Sequence, residues 1–405
     1  MPPFQRLSIF RSDPWLLAVS LVLTLLGVMM IFSSTHLFSQ EKYGEATLFL
    51  QQHGISVALG IAACLCCFYL PPERLQGFVW LALGLAFFFL VLIFVPGFGV
   101  KAGGATRWLK IAGVRIGQPG EFAKIALLLY LAFSLSRKAD RVEKFTVGFL
   151  PPVVMACSMV FLLMLEPDFG TSMLLLMLTG LLLLFGGVPF RFLAISALLA
   201  LPIVYLLMTR SAYRLKRLVS FMDPMSPENI KDGGFQLVQS LNAFAAGGFW
   251  GVGLGQSQQK LGHLPEAHTD FIFAIVGEEL GLFGVLIILS LFFFLFLRGL
   301  RIAMRTHDRF CCLLALGLTG MIGFQTLINV GVVMGALPTK GMPLPFLSFA
   351  RSSIIIVLAS IGILLRIEAE TRLRAEAFAP KPSPLPASRP SASALSSDGL
   401  PSTLA

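Results

Sequence analysis

Residues 271–297 read FIFAIVGEELGLFGVLIILSLFFFLFL, and Glu278 and Glu279 are the only charged side chains in the run. A spanning helix needs about 20 mostly apolar residues, so this stretch is long enough to cross a bilayer. It is far too long for a strand, which averages about 5–6 residues. Outward from it the same reading recurs nine times, near 15–34, 54–70, 78–95, 120–135, 149–165, 171–187, 190–208, 311–334 and 347–365. The composition agrees. Of 405 residues 56% are hydrophobic and 13% charged, with mean hydropathy +0.83, whereas soluble domains are about 25% charged. Most soluble folds are excluded, and so is disorder for the bulk of the chain. The expected fold class is an all-α integral membrane protein of about ten transmembrane helices, covering residues 15–366. A segment 1–14 precedes them and a tail 367–405 follows. The first run resembles a signal peptide, but it lacks a clear small-residue cleavage site and exceeds a usual signal core, so it reads as a permanent span.

The basic residues set the orientation, because cytoplasmic loops carry an excess of Lys and Arg. The N-terminal segment has Arg6 and Arg11, loop 136–148 has Arg137, Lys138, Arg141 and Lys144, and loop 298–310 has Arg298, Arg301, Arg305 and Arg309. With ten spans these share one side with the tail, so both termini are expected in the cytoplasm. The large loop between spans seven and eight, residues 209–270, is then extracytoplasmic. Two outer loops break the rule. Loop 96–119 holds Lys101, Arg107, Lys110 and Arg115, and loop 209–270 holds Arg210, Arg214, Lys216, Arg217, Lys231 and Lys260. Either the long loop translocates regardless of its charge, or these cations hold a phosphate-bearing ligand at the outer surface. The net charge of +10 fits anionic lipid or an anionic ligand rather than nucleic acid. Residues 379–405, rich in Pro, Ser and Ala, read as a disordered cytoplasmic tail. The six cysteines lie in or beside apolar runs and read as buried small hydrophobes without disulfides.

The chemistry-bearing stretch is 213–284. Gly251, Gly253 and Gly255 do not have dinucleotide-fingerprint spacing, and they read as places where backbone packs closely or bends. Asp270 stands where polar loop becomes apolar helix. Asp270 or Thr269 could cap that helix. An acid at a membrane interface can also have a raised pKa and act as a base. Glu278 and Glu279 follow inside the span, where carboxylates are expensive and usually functional. At about 100° per residue Glu279 falls on the face opposite Asp270, so at most one glutamate should share its cavity. His268 reads as a polar orienter, since no Cys or second His stands at ligand spacing. Glu166-Pro167-Asp168-Phe169-Gly170-Thr171 reads as a tight turn with Asp168 as a cap. Residues 337–348 form a Pro- and Gly-rich loop from which Lys340 could reach a phosphate. Arg351, just inside the last span, should face a polar cavity or a carboxylate.

These residues resemble the SEDS family (shape, elongation, division and sporulation proteins), and within it the FtsW branch. LPEAHTDFIFAIVGEELG at 264–281 matches almost residue for residue, with GFQLVQS at 234–240, EPDFGT at 166–171 and LPTKGMPLPF at 337–346 in family order. The likeness covers roughly residues 15–366, and the TKG after Pro338 is similar to the division branch. It implies a peptidoglycan glycosyltransferase that polymerises lipid II into glycan strands at the outer face of the bacterial cytoplasmic membrane, at the division septum. A class B penicillin-binding protein and other division proteins are the implied partners. By that resemblance Asp270 is the catalytic base. Arg107, Arg115, Glu121, Lys124, Arg214, Arg217, Lys260, Glu266, His268 and Lys340 are the substrate-binding residues, and Asp168 matches the PD-x-GT turn. No metal ligand set stands out, although a divalent cation, Mg or Mn, could share the charge of the pyrophosphate. The chain departs from the family at Ser348-Phe349-Ala350-Arg351-Ser352-Ser353, where SYGGSS is usual, and at Gly120, where Ser or Ala is usual. The competing readings are a lipid II flippase and a noncatalytic division scaffold that recruits through its tail.

Overall fold

The computed structural model describes residues 9–102, 105–111, 114–209, 212–226, 234–260, 264–265 and 267–378. In chain order the longer helices are α1 (Pro14–Tyr43), α2 (Leu48–Tyr69), α3 (Pro72–Leu92), α4 (Pro119–Arg137), α5 (Leu150–Leu165), α6 (Phe169–Phe185), α7 (Phe190–Thr209), α8 (Ala212–Met222), α9 (Phe235–Gly247), α10 (Ile272–Arg305), α11 (Arg309–Val333) and α12 (Arg351–Phe378). Each of the ten expected apolar runs is helical over most of its length, although the last, from residue 347, enters its helix only at Arg351. Among the described residues eight helices are long and apolar enough to cross a membrane, which makes the chain a multi-pass membrane protein. The sixth and seventh runs are weaker spans by themselves. Helix α6 has 17 residues, about 26 Å at 1.5 Å per residue, and α7 carries Pro202 in its interior.

Helices α4, α11 and α12 are buried almost all round, and the others wrap them. The outer helices turn large apolar side chains outward, among them Leu25, Phe78, Trp80, Phe88 and Phe293. Water would penalise that surface and lipid does not. Without a hydrophobic drive between helices, close backbone approach supplies the packing. A Cβ on Gly362 of α12 would stand 2.2 Å from the Cys64 carbonyl oxygen of α2. Cys64 and Cys311 are buried as expected, but Cys66 and Cys157 are exposed. A thiol is as comfortable against lipid as in a protein core, so hydropathy alone could not separate the two.

One end of the bundle collects the segments expected to share a side. Arg298, about two turns before the end of α10, donates to Asp13 Oδ2 at 2.7 and 3.0 Å. Thr306 and Thr371 are 3.0 Å apart, and Arg309 donates to the Gly186 carbonyl at 2.6 Å. The first part of the segment after residue 366 is helical, because α12 runs unbroken to Phe378 with Glu368–Arg372 and Glu370–Arg374 pairs at i,i+4. The segment 379–405, read as disordered, lies outside the described residues.

At the other end two corrections apply. Loop 96–119 is not irregular. It forms an antiparallel sheet of β1 (Gly99–Ala102), β2 (Ala105–Ile111) and β3 (Val114–Gly117) in that order, with Ala102 opposite Ala105 and Ile111 opposite Val114. The all-α expectation therefore has one exception among the described residues. The two-residue spacers Gly103-Gly104 and Ala112-Gly113 have the composition of hairpin turns. The second correction is that α10 is not continuous. Gly281 has φ 65° and ψ −169°, which breaks the helix into a short outer half and a long inner half. The freed backbone is satisfied by residues 248–253: Leu282 N–H donates to the Gly248 carbonyl at 2.9 Å and Val252 N–H to the Glu278 carbonyl at 2.9 Å. A Cβ at residue 281 would lie 2.3 Å from the Gly251 nitrogen, so close approach and positive φ both require glycine here. Gly281→Ala should lose about 1–3 kcal/mol from this essentially glycine-only backbone conformation alone. Its melting temperature in detergent should fall below that of the wild type, and an unchanged value would contradict the break.

Candidate functional site

The break in α10 shapes the outer end of the bundle. Glu278 and Glu279 are both buried on the short half-helix, and both turn to residues 255–260, which wrap it. Glu278 accepts from Ser257 Oγ and from the Gln258 N–H at 2.9 Å. Glu279 accepts from Ser33 Oγ of α1 at 2.7 Å and pairs with Lys260 Nζ at 3.2 Å. Lys260 also donates to the Gly255 carbonyl at 2.6 Å. Its ammonium is therefore a buried strut holding the wrap against the half-helix. The glutamates lie together because the wrap touches both flanks of the half-helix.

Asp270 lies two residues before the half-helix begins. The N-cap position is Phe271. The Asp270 carbonyl accepts from Asn329 Nδ2 of α11 at 2.8 Å, and the same nitrogen donates to the Met342 carbonyl at 2.6 Å. The Asp270 carboxylate packs against Gly341, whose Cβ, if present, would stand 2.6 Å from Oδ2. The loop 334–350 is thus brought to the acid, and it is rigidly held. Gln325 Nε2 donates to the Pro343 carbonyl at 2.8 Å, and the Leu344 N–H donates to Ser348 Oγ at 2.7 Å. Phe346 adopts φ 65°, a strained value for a residue with a side chain.

Three cations reach this loop or the turn beside it. Lys340 Nζ sits 4.1 Å from the Phe169 ring centroid, a cation–π contact. Burial pulls its pKa down to about 8, against the opposing pull of Asp168. Arg217 of α8 donates to the Thr339 carbonyl at 3.0 Å, and Arg107 of β2 donates to the Pro167 carbonyl. Asp168 is a cap, as its turn context suggests. It accepts from the Thr171 N–H at 3.2 Å and the Thr171 hydroxyl at 2.8 Å, and also from Gln118 Nε2 at 3.0 Å. That last bond ties the sheet's exit to the turn. Beside it Glu166 is buried, and among the described residues no hydrogen-bond donor reaches either of its oxygens. Burial, then the charge of Asp168, pushes its carboxyl up to about 8 despite Arg107, so it holds its proton at neutral pH.

The expected substrate residues do not all meet at one surface. Glu121 and Lys124 form a buried ion pair at 2.8 Å inside α4, and Lys124 also donates to Gln325 Oε1 at 2.9 Å. They support the loop from below. His268 is enclosed by Phe38, Phe49 and Phe349 at centroid distances of 6.1, 5.4 and 5.9 Å, and its carbonyl accepts from the Phe349 N–H at 2.9 Å. Arg115 lies on β3 opposite Lys110 and Arg214 lies on α8, but their side chains, like all of Glu266, are outside the described residues. Arg351 is the first residue of α12 and half-buried. Gln325, Asn329 and Glu166 were not singled out from sequence as functional. The available signal for the first two was an amide pair at i,i+4 within an apolar span, where polar groups are costly. Among the described residues no three His, Cys, Asp or Glu side chains converge as a metal site. Below the 166–168 turn an open apolar cleft of about 620 Å³ runs between α3 and α5, lined by Phe87, Val154, Cys157, Ser158, Phe161 and Leu162.

Known proteins are similar to this chain in sequence and in architecture. A probable peptidoglycan glycosyltransferase FtsW of Trichlorobacter lovleyi is 40% identical over 362 residues, covering 89% of this chain and 94% of that protein. One from Geobacter sulfurreducens is 38% identical over 364 residues, covering 90% and 96%. A solved chain from a study titled "Structural coordination of polymerization and crosslinking by a peptidoglycan synthase complex" superposes with TM-score 0.75 at 26% identity, covering 89% of this chain and 98% of its own. The rod shape determining protein RodA of Thermus thermophilus superposes with TM-score 0.65 at 25% identity, covering 88% and 97%. The family described as cell cycle protein, which takes in FtsW, RodA and SpoVE, matches residues 14–373. With that match spanning nearly the whole helical bundle, the chain belongs to the FtsW/RodA/SpoVE family of cell cycle proteins.

Proposed function

We propose that this protein is a peptidoglycan glycosyltransferase that polymerises lipid II at the outer face of the bacterial cytoplasmic membrane during division. The observation that carries the proposal is the seating of the Asp270 carboxylate against Gly341, on the loop whose preceding residue, Lys340, lies over Phe169 of the EPDFGT turn. In the proposed reaction an acceptor sugar hydroxyl forms a C–O bond to the donor's anomeric carbon. Its proton passes to Asp270, because a hydroxyl is a poor nucleophile at neutral pH. The bond from that carbon to the lipid pyrophosphate breaks, and the electron pair leaves on the phosphate oxygen. Arg107, Arg217 and Lys340 meet that growing charge as preorganised cations, and the arginine fork matches phosphate oxygens. The cleft between α3 and α5 is assigned to part of the polyprenyl tail, since its walls are apolar and its outer end lies one helical turn below Glu166. The ten-span topology, cytoplasmic termini, septal location and pairing with a class B penicillin-binding protein belong to the same reading. The pairing is supported by likeness to a chain from a synthase complex.

The test is reconstitution of the purified protein and its class B partner in liposomes carrying lipid II, with the partner's transpeptidase blocked by a β-lactam. A ladder of uncrosslinked glycan is expected, and its absence would contradict the proposal. The low pKa of Lys340 adds a signed pH dependence. Only its protonated form attracts phosphate, and that form is lost as pH rises through about 8. KM for lipid II should therefore climb above that pH in the wild type. In Lys340→Arg, whose guanidinium stays charged, it should stay flat. Parallel profiles for the two proteins would remove Lys340 from pyrophosphate binding.

A further inference from the structure

We infer that Asn329, with Gln325 one turn before it on α11, positions Asp270 for the reaction by tying the acid's backbone to the loop that carries Lys340 and Gly341. This deepens the glycosyltransferase reading and rests on it. The two amides are spaced i,i+4, so they share one face of the helix, and both are buried. Asn329 Nδ2 donates to two carbonyls, Asp270 O at 2.8 Å and Met342 O at 2.6 Å. Carbonyls only accept, so the amide nitrogen must face both, and the orientation of Asn329 is fixed by its partners. Gln325 repeats the arrangement one turn away. Its nitrogen donates to Pro343 O at 2.8 Å, and its oxygen accepts from Lys124, which is itself paired to Glu121. One helix face therefore suspends the carbonyls of residues 270, 342 and 343 from a single rigid support.

The bracket acts where tolerance is smallest. Asp270 stands ahead of α10, whose first residue is Ile272, so the helical ladder begins only after it. Its Oδ2 lies 2.6 Å from the point a Gly341 Cβ would occupy. A shift of loop 341–343 relative to residue 270 would therefore change the carboxylate's seat directly. Asn329 also leaves its own Oδ1 buried without a hydrogen-bond partner among the described residues. An unsatisfied buried acceptor lowers stability, and such costs gather where function demands a fixed geometry. Asn329 touches backbone rather than the reacting atoms, so its role is positioning.

The test measures polymerisation by the reconstituted pair, with rates expressed per folded molecule from the monodisperse fraction. Misplacement of a reacting group by about 1 Å costs on the order of 100-fold. Asn329→Ala should lower kcat by about 10–100-fold with KM for lipid II within about threefold. Asn329→Ser keeps one hydroxyl donor, should fall between alanine and wild type, and serves if the alanine variant does not fold. A kcat per folded molecule equal to wild type, or a raised KM with kcat unchanged, overturns the positioning role. A wild type that makes no glycan overturns the functional reading and this inference with it. A wild type that polymerises beside an equally active Asn329→Ala overturns the inference alone.

Discussion

Asp270→Asn should reduce glycan polymerisation by about 10²–10⁴-fold, the range a positioned general base supplies, while leaving the protein folded and able to bind lipid II. The substitution is nearly isosteric and keeps the contact with Gly341, so packing at the rim is preserved. What disappears is the capacity to take a proton from the acceptor hydroxyl. The loss should therefore appear in kcat, with KM little changed. Lipid II binding to the detergent-purified variant, followed by its retention on immobilised protein, should match wild type. A variant that loses binding in proportion to rate would make Asp270 a substrate anchor, and one that keeps its rate would remove it from the chemistry.

The second large effect is structural. Lys124 and Glu121 are paired at 2.8 Å in the first turns of α4, with side chains 2% and 5% exposed. Removing one member of a buried pair leaves the other charged and uncompensated, which costs about 3–5 kcal/mol. Lys124→Ala also strips Gln325 of the donor on its amide oxygen, so the bracket under Asp270 loosens as well. The expected outcome is a sharp fall in the yield of monodisperse protein and in melting temperature. The double change Glu121→Gln with Lys124→Met removes both charges and should recover much of that stability, though not the support of Gln325. A single Lys124→Ala variant that melts like wild type would contradict the buried pairing.

Much of this architecture is legible in the sequence, because a bilayer imposes a long apolar run on every span. The ten runs stand out for that reason, whereas an acid that starts an apolar helix is commonplace, and Asp270 stands out only through Glu278 and Glu279 behind it and the family motif around it. What was not legible depends on contacts between distant segments. Lys260 carries the same charge as its neighbours in the outer loop, and only the break at Gly281 reveals that it is spent on Glu279. Four- to seven-residue strands offer too little periodicity to separate the 99–117 sheet from loop. Gln325 and Asn329 are diluted in the hydropathy of α11, although their spacing was visible. Glu166 reads as part of a turn, and its isolation from donors is a property of the packed structure.

The account rests on Asp270 meeting the acceptor hydroxyl. A structure of the inactive Asp270→Asn variant with lipid II bound in both sugar positions measures that contact. The account predicts the residue 270 side chain within about 2.6–3.2 Å of the acceptor oxygen, with the donor pyrophosphate beside Arg107, Arg217 and Lys340. Substrate seated at the opposite end of the bundle, or an acceptor oxygen well beyond hydrogen-bond reach of residue 270, would contradict it.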